Sequence, residues 1–469
     1  MLRVSFFVRP RNRFSVPTCL AGRMPRAAAV TDWPQANRAA ARSVLDGGEH
    51  GARLKRAGAS AEEMTMRDTS LLQLALGLVP PWAVIRSEFD AEARQLDIHI
   101  DFAAGSRFAC PCCGAADCPA YDTEQMSWRH LDFFQHQAFL YARVPRVHCT
   151  RCGIKTLSVP WARPDSGFTL LFEALVMSLV SAMPVNAVAR LVGEHDTRLW
   201  RVIHHYVDRA RAKADLSTVR RVAIDETAAR RGHNYITLFV DIDQARVVFA
   251  TDGRDAETIA FFADDLTMHG GAPSAIAEVC IDMSPAFIKG IANSLPAAAI
   301  TFDKFHAVKI VNDAVDQVRR AERKVHNVLA GTRYLWLRNP VNLSDRQRAA
   351  FENLPLRHLK TARAYRIRLA FQELYDQPTP DAATVFLKKW YFWATHSRLP
   401  PIIDAARTVK RHWNGILRWF HSRIANGLIE GINSLVQAAK AKARGYRSVR
   451  NLKAMVYLLA AKLNLMLPN

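Results

Sequence analysis

Three acidic residues combine the type and the setting that phosphodiester chemistry needs. Asp225 follows the apolar run Val222-Ala223-Ile224, and Asp282 follows Val279-Cys280-Ile281. Both are expected where a buried strand runs out and a sheet presents functional groups to solvent. The third is Glu430, in Asn426-Gly427-Leu428-Ile429-Glu430-Gly431-Ile432-Asn433, the only acid between Ala405 and Asn469 in a stretch holding about a dozen Lys and Arg. Cutting or joining a phosphodiester requires charge neutralisation at both the attacking and the leaving oxygen. Two Mg²⁺ (or Mn²⁺) ions about 3.5–4 Å apart supply it, and such hard cations prefer carboxylate oxygen. Two strand-end aspartates with one acid from a later helix form the smallest set able to hold the pair. Each residue also has a plainer reading: a turn or helix cap for the aspartates, a surface ion pair for Glu430.

Cysteine supplies a second chemistry. Cys110-Pro-Cys-Cys113-Gly and Cys149-Thr-Arg-Cys152-Gly are two C-x-x-C knuckles, each followed by glycine. Four thiolates bind Zn²⁺ tetrahedrally, and two intervening residues let one tight turn offer both sulfurs. The glycine accommodates the positive φ that such turns often need. The long spacing between the knuckles predicts a zinc ribbon with a strand-rich insert. Cys112, Cys118 and His148 are nearby and leave the ligand set open.

These residues need elements to hold them. From Trp82 to Val159 the pattern is strand-like, with apolar alternation at Leu96-Ile100 and Ala138-Val147. Phe168-Met183, Pro184-Val192 and Thr197-Val207 read as three helices, the last two joined through Gly193-Glu194-His195-Asp196. That is the outline of a helix-turn-helix whose last helix would present Arg198, Arg201 and His205 to a DNA groove. The period then changes. A strand at Val219-Asp225, a hairpin of Asn234-Asp241 and Ala245-Thr251, a helix at Asp255-Met268, a strand at Ala275-Asp282, a helix at Pro285-Ser294 and a strand at Ala297-Phe302 follow in turn. This β-β-β-α-β-α-β order is what a ribonuclease-H-like core requires. Beyond Phe305 the chain reads as helical to its end.

Composition narrows the partners. The 469 residues carry 64 Lys and Arg against 43 Asp and Glu, a formal charge of +21, which favours a polyanion. The charge gathers in blocks, Lys309 to Arg368 and Arg407 to Lys453, the latter containing Lys440, Lys442, Arg444 and Arg447 as candidate DNA contacts. The Trp residues along them are expected mostly in the core. No apolar run is long enough to span a bilayer, so no membrane partner is expected. Residues 1–65 show no sustained period and read as a disordered basic tail or a start assigned too early.

Read together, the chain resembles the ISL-three-type bacterial insertion-sequence transposases, a DDE group, from about Met66 to the C-terminus. The resemblance rests on Leu72-Gln73-Leu74-Ala75-Leu76-Gly77-Leu78, Leu96-Asp97-Ile98-His99-Ile100, both Cys pairs and Trp128-Arg129-His130-Leu131-Asp132. It continues through Ala223-Ile224-Asp225-Glu226, Ile281-Asp282-Met283-Ser284, Phe302-Asp303-Lys304-Phe305-His306 and the Glu430 segment. It implies metal-dependent cleavage at inverted-repeat ends, then attack of the freed 3′-hydroxyl on target DNA, with Asp225, Asp282 and Glu430 as the catalytic acids. It also places Asp303 and His306 beside the active site, where His306 would orient a phosphate or act as an acid; a structural histidine capping a helix is the competing reading.

The expected architecture is a multidomain α+β chain. A zinc-ribbon domain (66–162) and a helix-turn-helix (163–216) precede a ribonuclease-H-like catalytic domain (217–308 and 420–469) split by a helical insertion (309–419). The expected partners are double-stranded DNA and at least one further copy of the chain, in the nucleoid-associated cytoplasm of a bacterium. The rival reading is a DNA-binding regulator on a catalytically dead scaffold, which would bind DNA without metal-dependent nicking.

Overall fold

The computed structural model describes residues 69–230, 234–424 and 427–468. The expected tail at 1–65 and Asn426 of the Glu430 segment lie outside the described residues. Strands β1 (Trp82–Asp90), β2 (Gln95–Phe102), β3 (Arg107–Phe108), β4 (Cys118–Arg129), β5 (Gln137–Cys149) and β6 (Gly153–Thr156) build the first sheet. Their order is β1-β2-β5-β4-β3, with β6 added to β5. Alternation buries Leu96, Ile98 and Ile100 of β2 and Ala138, Leu140, Ala142 and Val144 of β5 on one core. The twelve-residue β4 gave little sequence signal, because Tyr121 to Gln125 are polar or exposed. It is extended because β5 pairs with it from Ala120↔Val147 to Arg129↔Phe139.

Helices α1 (Leu170–Ala182), α2 (Val185–Val192) and α3 (Asp196–Ala212) follow. The Thr169 side chain caps α1 by accepting from Phe172 N–H. Gly193 ends α2 at φ +69°, a left-handed turn that glycine enters without strain. Phe172, Val176, Val188, Leu199 and Ile203 fill the space between the three helices. Arg129, 1% exposed, binds this unit to the first sheet. Its guanidinium reaches Asp132, Ala138 O and, at 4.0 Å, Glu194 in the turn between α2 and α3, and lies 5.2 Å from the Phe172 ring centroid. This explains the Trp-Arg-His-Leu-Asp stretch structurally.

The second sheet comprises β7 (Arg221–Arg230), β8 (Asn234–Asp241), β9 (Arg246–Asp252), β10 (Glu278–Ile281) and β11 (Ala299–Phe302), in the order β11-β10-β7-β8-β9. β7, β8 and β9 are antiparallel, whereas β7, β10 and β11 run parallel. The crossovers are α4 (Glu257–Met268) and α5 (Pro285–Ser294). This is the ribonuclease-H-like α/β core expected. One expectation is corrected. Asp225 does not close its strand, since β7 continues to Arg230. What ends beside Asp225 is the parallel neighbour β10.

Helices α6 (Lys304–Arg323), α7 (Arg333–Leu337), α8 (Asp345–Glu352), α9 (Lys360–Gln372), α10 (Pro380–Thr395), α11 (Pro400–Arg411) and α12 (Trp413–Ser422) come next, then α13 (Gly427–Lys442) and α14 (Val449–Ala460). Both faces of the sheet are covered, so β8 and β10 read as near-continuous apolar runs. One face, with Val222, Ile224, Phe239, Val279 and Ile281, shares a continuous core with α4 to α6 and the later helices through α12, including buried Trp336 and Trp390. The opposite face, with Ala223, Leu238, Val240 and Cys280, packs on Ile429, Ile432 and Val436 of α13 and Leu452 and Val456 of α14. Ala454 and Met455 of α14 join the helix-turn-helix core instead, so this helix links the two units.

Candidate active site, thiol cluster and DNA-facing helices

Strand periodicity puts the aspartates on one face. Ala223 of β7 pairs with Cys280 of β10, which pairs with Thr301 of β11. Side chains alternate with a period of two, so two residues further on the same register aligns Asp225, Asp282 and Asp303 on the α13 side. Asp282 and Asp303 also begin the next elements: Asp282 Oδ1 accepts from Ser284 N–H at 2.9 Å, and the Asp303 carboxylate accepts from Phe305 N–H at 3.0 Å and His306 N–H at 3.2 Å. The plainer expectation is met in part: Asp303 caps its helix, and Asp282 closes a turn just before the Ser284 N-cap of α5. His306 Nδ1 is 2.7 Å from Asp303 Oδ2.

Asp225 feels both burial and its acidic neighbours. Burial pushes the Asp225 carboxyl above its usual range, and the charges of Asp282 and Asp303 add to that, against the Glu226 N–H and His306. Glu226 is raised in the same way, first by burial and then by Asp282, with Arg254 opposing. Asp225 Oδ1 accepts from Glu226 N–H at 2.8 Å, and Oδ2 from Asn433 Nδ2 at 2.6 Å. Asn433 Oδ1 is buried with no hydrogen-bond partner. The carboxylates of Asp225, Glu226, Asp282 and Asp303, with the orphaned amide oxygen of Asn433, offer the hard oxygen donors that a divalent cation such as Mg²⁺ or Mn²⁺ prefers.

Glu430 lies on α13, exposed, one turn before Asn433. Among the described residues no hydrogen bond or ion pair joins it to Asp225 or Asp282. The structure thus gathers Asp225, Asp282, Asp303 and His306, and places Glu430 on the helix that meets Asp225 without bringing it into contact. Glu226 and Asn433 are members that sequence reasoning passed over. The i, i+3 spacing from Glu430 marks Asn433 as a neighbour on one helix face.

The four knuckle thiols converge. Cys110, Cys113, Cys149 and Cys152 have sulfurs all within 4.8 Å of one another, and Cys113 Sγ is 3.6 Å from Cys149 Sγ. Zn–S bonds of about 2.3 Å in a tetrahedron place sulfurs about 3.8 Å apart, so the donor set fits Zn²⁺. Gly114 and Gly153 follow the knuckles at φ +71° and +72°, as the sequence predicted. Backbone N–H groups of Arg151 and Cys152 aim at Cys149 and hold its thiol down to about 6. Cys112 is exposed, and the buried Cys118 thiol points at Ala115 O, 3.5 Å away.

These elements carry a family signature in the expected order. A model of the ISL3 transposase DDE domain matches residues 222–456, half of the chain. The chain belongs to the ISL3 family of transposases. The family's helix-turn-helix matches residues 157–207, and its zinc finger, described for transposases of IS204, IS1001, IS1096 and IS1165, matches residues 106–152. Among its relatives, the transposase for insertion sequence element IS1557 of Mycobacterium tuberculosis is 28% identical over 369 residues, covering 71% of this chain and 81% of that protein. The transposase for insertion sequence element IS1001 of Bordetella parapertussis is 28% identical over 399 residues, covering 81% and 96%.

Of the ISL3 chain's candidate DNA contacts, Arg201 is exposed on α3. Arg198 is engaged: it bonds Glu194 at 2.6 Å, reaches Gly167 O and lies 4.2 Å from the Phe168 ring centroid. Burial, with Arg163 nearby, holds the half-buried His205 below its usual pKa. Lys440 and Lys442 donate to the carbonyls of Ala228 and Ala182. Arg444 is exposed, and Arg447 has an 81% exposed side chain 3.9 Å from Asp196 at the start of α3. Among the described residues no helix is long and apolar enough to cross a membrane.

Proposed function

We propose that this chain is a DDE transposase that binds the terminal inverted repeats of its own insertion sequence, hydrolyses the phosphodiester at each end and joins the freed 3′ ends to target DNA. The observation that carries this is the register of Asp225 and Asp282 on one sheet face, with the helix bearing Glu430 laid along that face. In this reading Asp225, Asp282 and Glu430 hold Mg²⁺ or Mn²⁺, which when bound neutralises charge on the attacking and leaving oxygens.

The chain's own residues prepare that site. Glu226 N–H and Asn433 fix the Asp225 carboxylate in one orientation. Asp303 holds His306 through Nδ1, which leaves Nε2 to carry a proton beside the carboxylates and deliver it to the leaving 3′-oxygen. Cys110, Cys113, Cys149 and Cys152 hold Zn²⁺ and so keep the ribbon folded. Arg201, Arg444 and Arg447, with Lys440 and Lys442, add charge to the backbone of bound DNA. Residues 66–162, 163–216, 217–308 with 420–469, and 309–419 act as ribbon, end-binding, catalytic and insertion units. Two ends must be held together, so the working form is at least a dimer, in a bacterial nucleoid-associated cytoplasm.

The test uses purified protein, Mg²⁺ and DNA carrying the ends of its own element. Wild type nicks those ends, and Asp225→Asn abolishes nicking while leaving end binding intact. Undiminished nicking by Asp225→Asn overturns the assignment, and end binding by wild type without metal-dependent nicking selects the regulator instead.

A further inference from the structure

Helix α13 meets β7 through a row of polar side chains on one face. Asn433 donates to Asp225 Oδ2 at 2.6 Å, Gln437 to Thr227 Oγ1 at 2.5 Å, and Lys440 to Ala228 O. Positions 433, 437 and 440 recur at helical spacing, and Glu430 extends the row by one turn towards the start of α13. The neighbouring stripe of Ile429, Ile432 and Val436 is buried against the sheet. This row therefore sets how α13 is rotated and how far it slides along β7. Asn433 is its first anchored member after Glu430, and among the described residues it alone in the row bonds an aspartate.

The amide is also only half used. A carboxamide offers two donors and one acceptor oxygen. Nδ2 is spent on Asp225, while Oδ1 is buried without a partner, a state that costs free energy unless something occupies it. Among the described residues no cationic group bonds it. An oxygen in that state beside a crowded carboxylate is suited to a hard cation or to water carried by one.

We propose that Asn433 is a positioning residue of the divalent-cation site: it holds the Asp225 carboxylate by Nδ2, sets the height of Glu430 on α13, and keeps Oδ1 for the filled site. This rests on the transposase reading above. Asn433 touches Asp225 rather than the reacting atoms, so its effect appears as metal affinity. Residues that orient a metal's ligands typically govern 10–100-fold in affinity or activity.

The experiment titrates Mn²⁺ into the full-length, zinc-loaded chain and follows free Mn²⁺ by electron paramagnetic resonance, for wild type and Asn433→Ala. The expected result is an apparent Mn²⁺ dissociation constant about tenfold or more higher in Asn433→Ala, with end-DNA binding and zinc content unchanged. Nicking by the variant recovers at saturating Mn²⁺. If circular dichroism shows that Asn433→Ala misfolds, Asn433→Ser, which keeps a donor, replaces it with an intermediate loss expected. Wild-type affinity in the folded variant overturns the inference. If wild type binds Mn²⁺ and nicks DNA while the variant matches it, the positioning role alone fails. If wild type binds Mn²⁺ but nicks nothing, the transposase reading fails, and the Mn²⁺ comparison still decides the role of Asn433.

Discussion

His306 and Asp303 form a pair in which Nδ1 and Oδ2 are 2.7 Å apart, closed across the first turn of the helix that Asp303 itself caps. The backbone N–H of His306 bonds the same carboxylate, so ring and helix start are held as a unit. Asp303 reaches this place because Asp303 N–H donates to Ile281 O at 2.9 Å, next to Asp282.

That pair predicts a pH dependence. The Asp303 hydrogen bond raises the imidazole above 6.5, against burial, and the charges of Asp303, Asp282 and Asp225 add to the rise. A histidine raised in the folded state adds stability that is complete below its unfolded value and is lost as pH rises through its folded value. Zinc-loaded protein without Mg²⁺ or Mn²⁺ is therefore expected to lose melting temperature as pH climbs above 6.5, and His306→Gln to flatten that window. Calorimetric scans across the range check it, and an unchanged slope in the variant counts against the pair.

Glu430 separates activity from stability. It is exposed and forms no hydrogen bond or ion pair with the aspartates among the described residues, so Glu430→Gln should leave unfolding free energy within about 0.5 kcal/mol of wild type. Metal-dependent nicking should nonetheless vanish. Urea titration and a gel nicking assay on the same preparation measure both, and nicking at the wild-type rate removes Glu430 from the site.

Zinc should be structural. One Zn²⁺ per chain is expected by atomic absorption, and Cys149→Ser should lose it, since Cys149 is buried at the centre of the thiol cluster. Chelation should expose residues 106–152 to limited proteolysis before the catalytic sheet. Full zinc content in Cys149→Ser would disprove the four-thiol assignment.

Gly415 tests how α12 supports the site. A Cβ there would overlap the Phe302 ring and lie 3.3 Å from Ile300 O, and both belong to β11, the strand that leads into Asp303. Gly415→Ala should cost about 1–3 kcal/mol through overpacking and lower nicking by displacing Asp303. Denaturant unfolding beside the nicking assay checks both effects, and unaltered stability would mean that α12 shifts freely.

The sequence alone determined the identities that local patterns can encode. The C-x-x-C-Gly knuckles, the helix break at Gly193, the β-β-β-α-β-α-β succession and the aspartates after apolar runs all follow from short-range periodicity and turn chemistry. Asp225 was placed at a strand end because its apolar run stops there. In the fold β7 runs on to Arg230 by pairing with β8, and no local pattern carries information about a partner strand. The same holds for β4, whose polar half is extended only because β5 lies beside it.

What only the tertiary structure decided is which side chains meet. Residues 208 positions apart, Asp225 and Asn433, bond because α13 returns to the face of β7; hydrogen bonding over that separation depends on packing, which sequence spacing does not express. The alignment of Asp225 with Asp282 and Asp303 likewise rests on the register of β7 with β10, strands that are not consecutive in the chain.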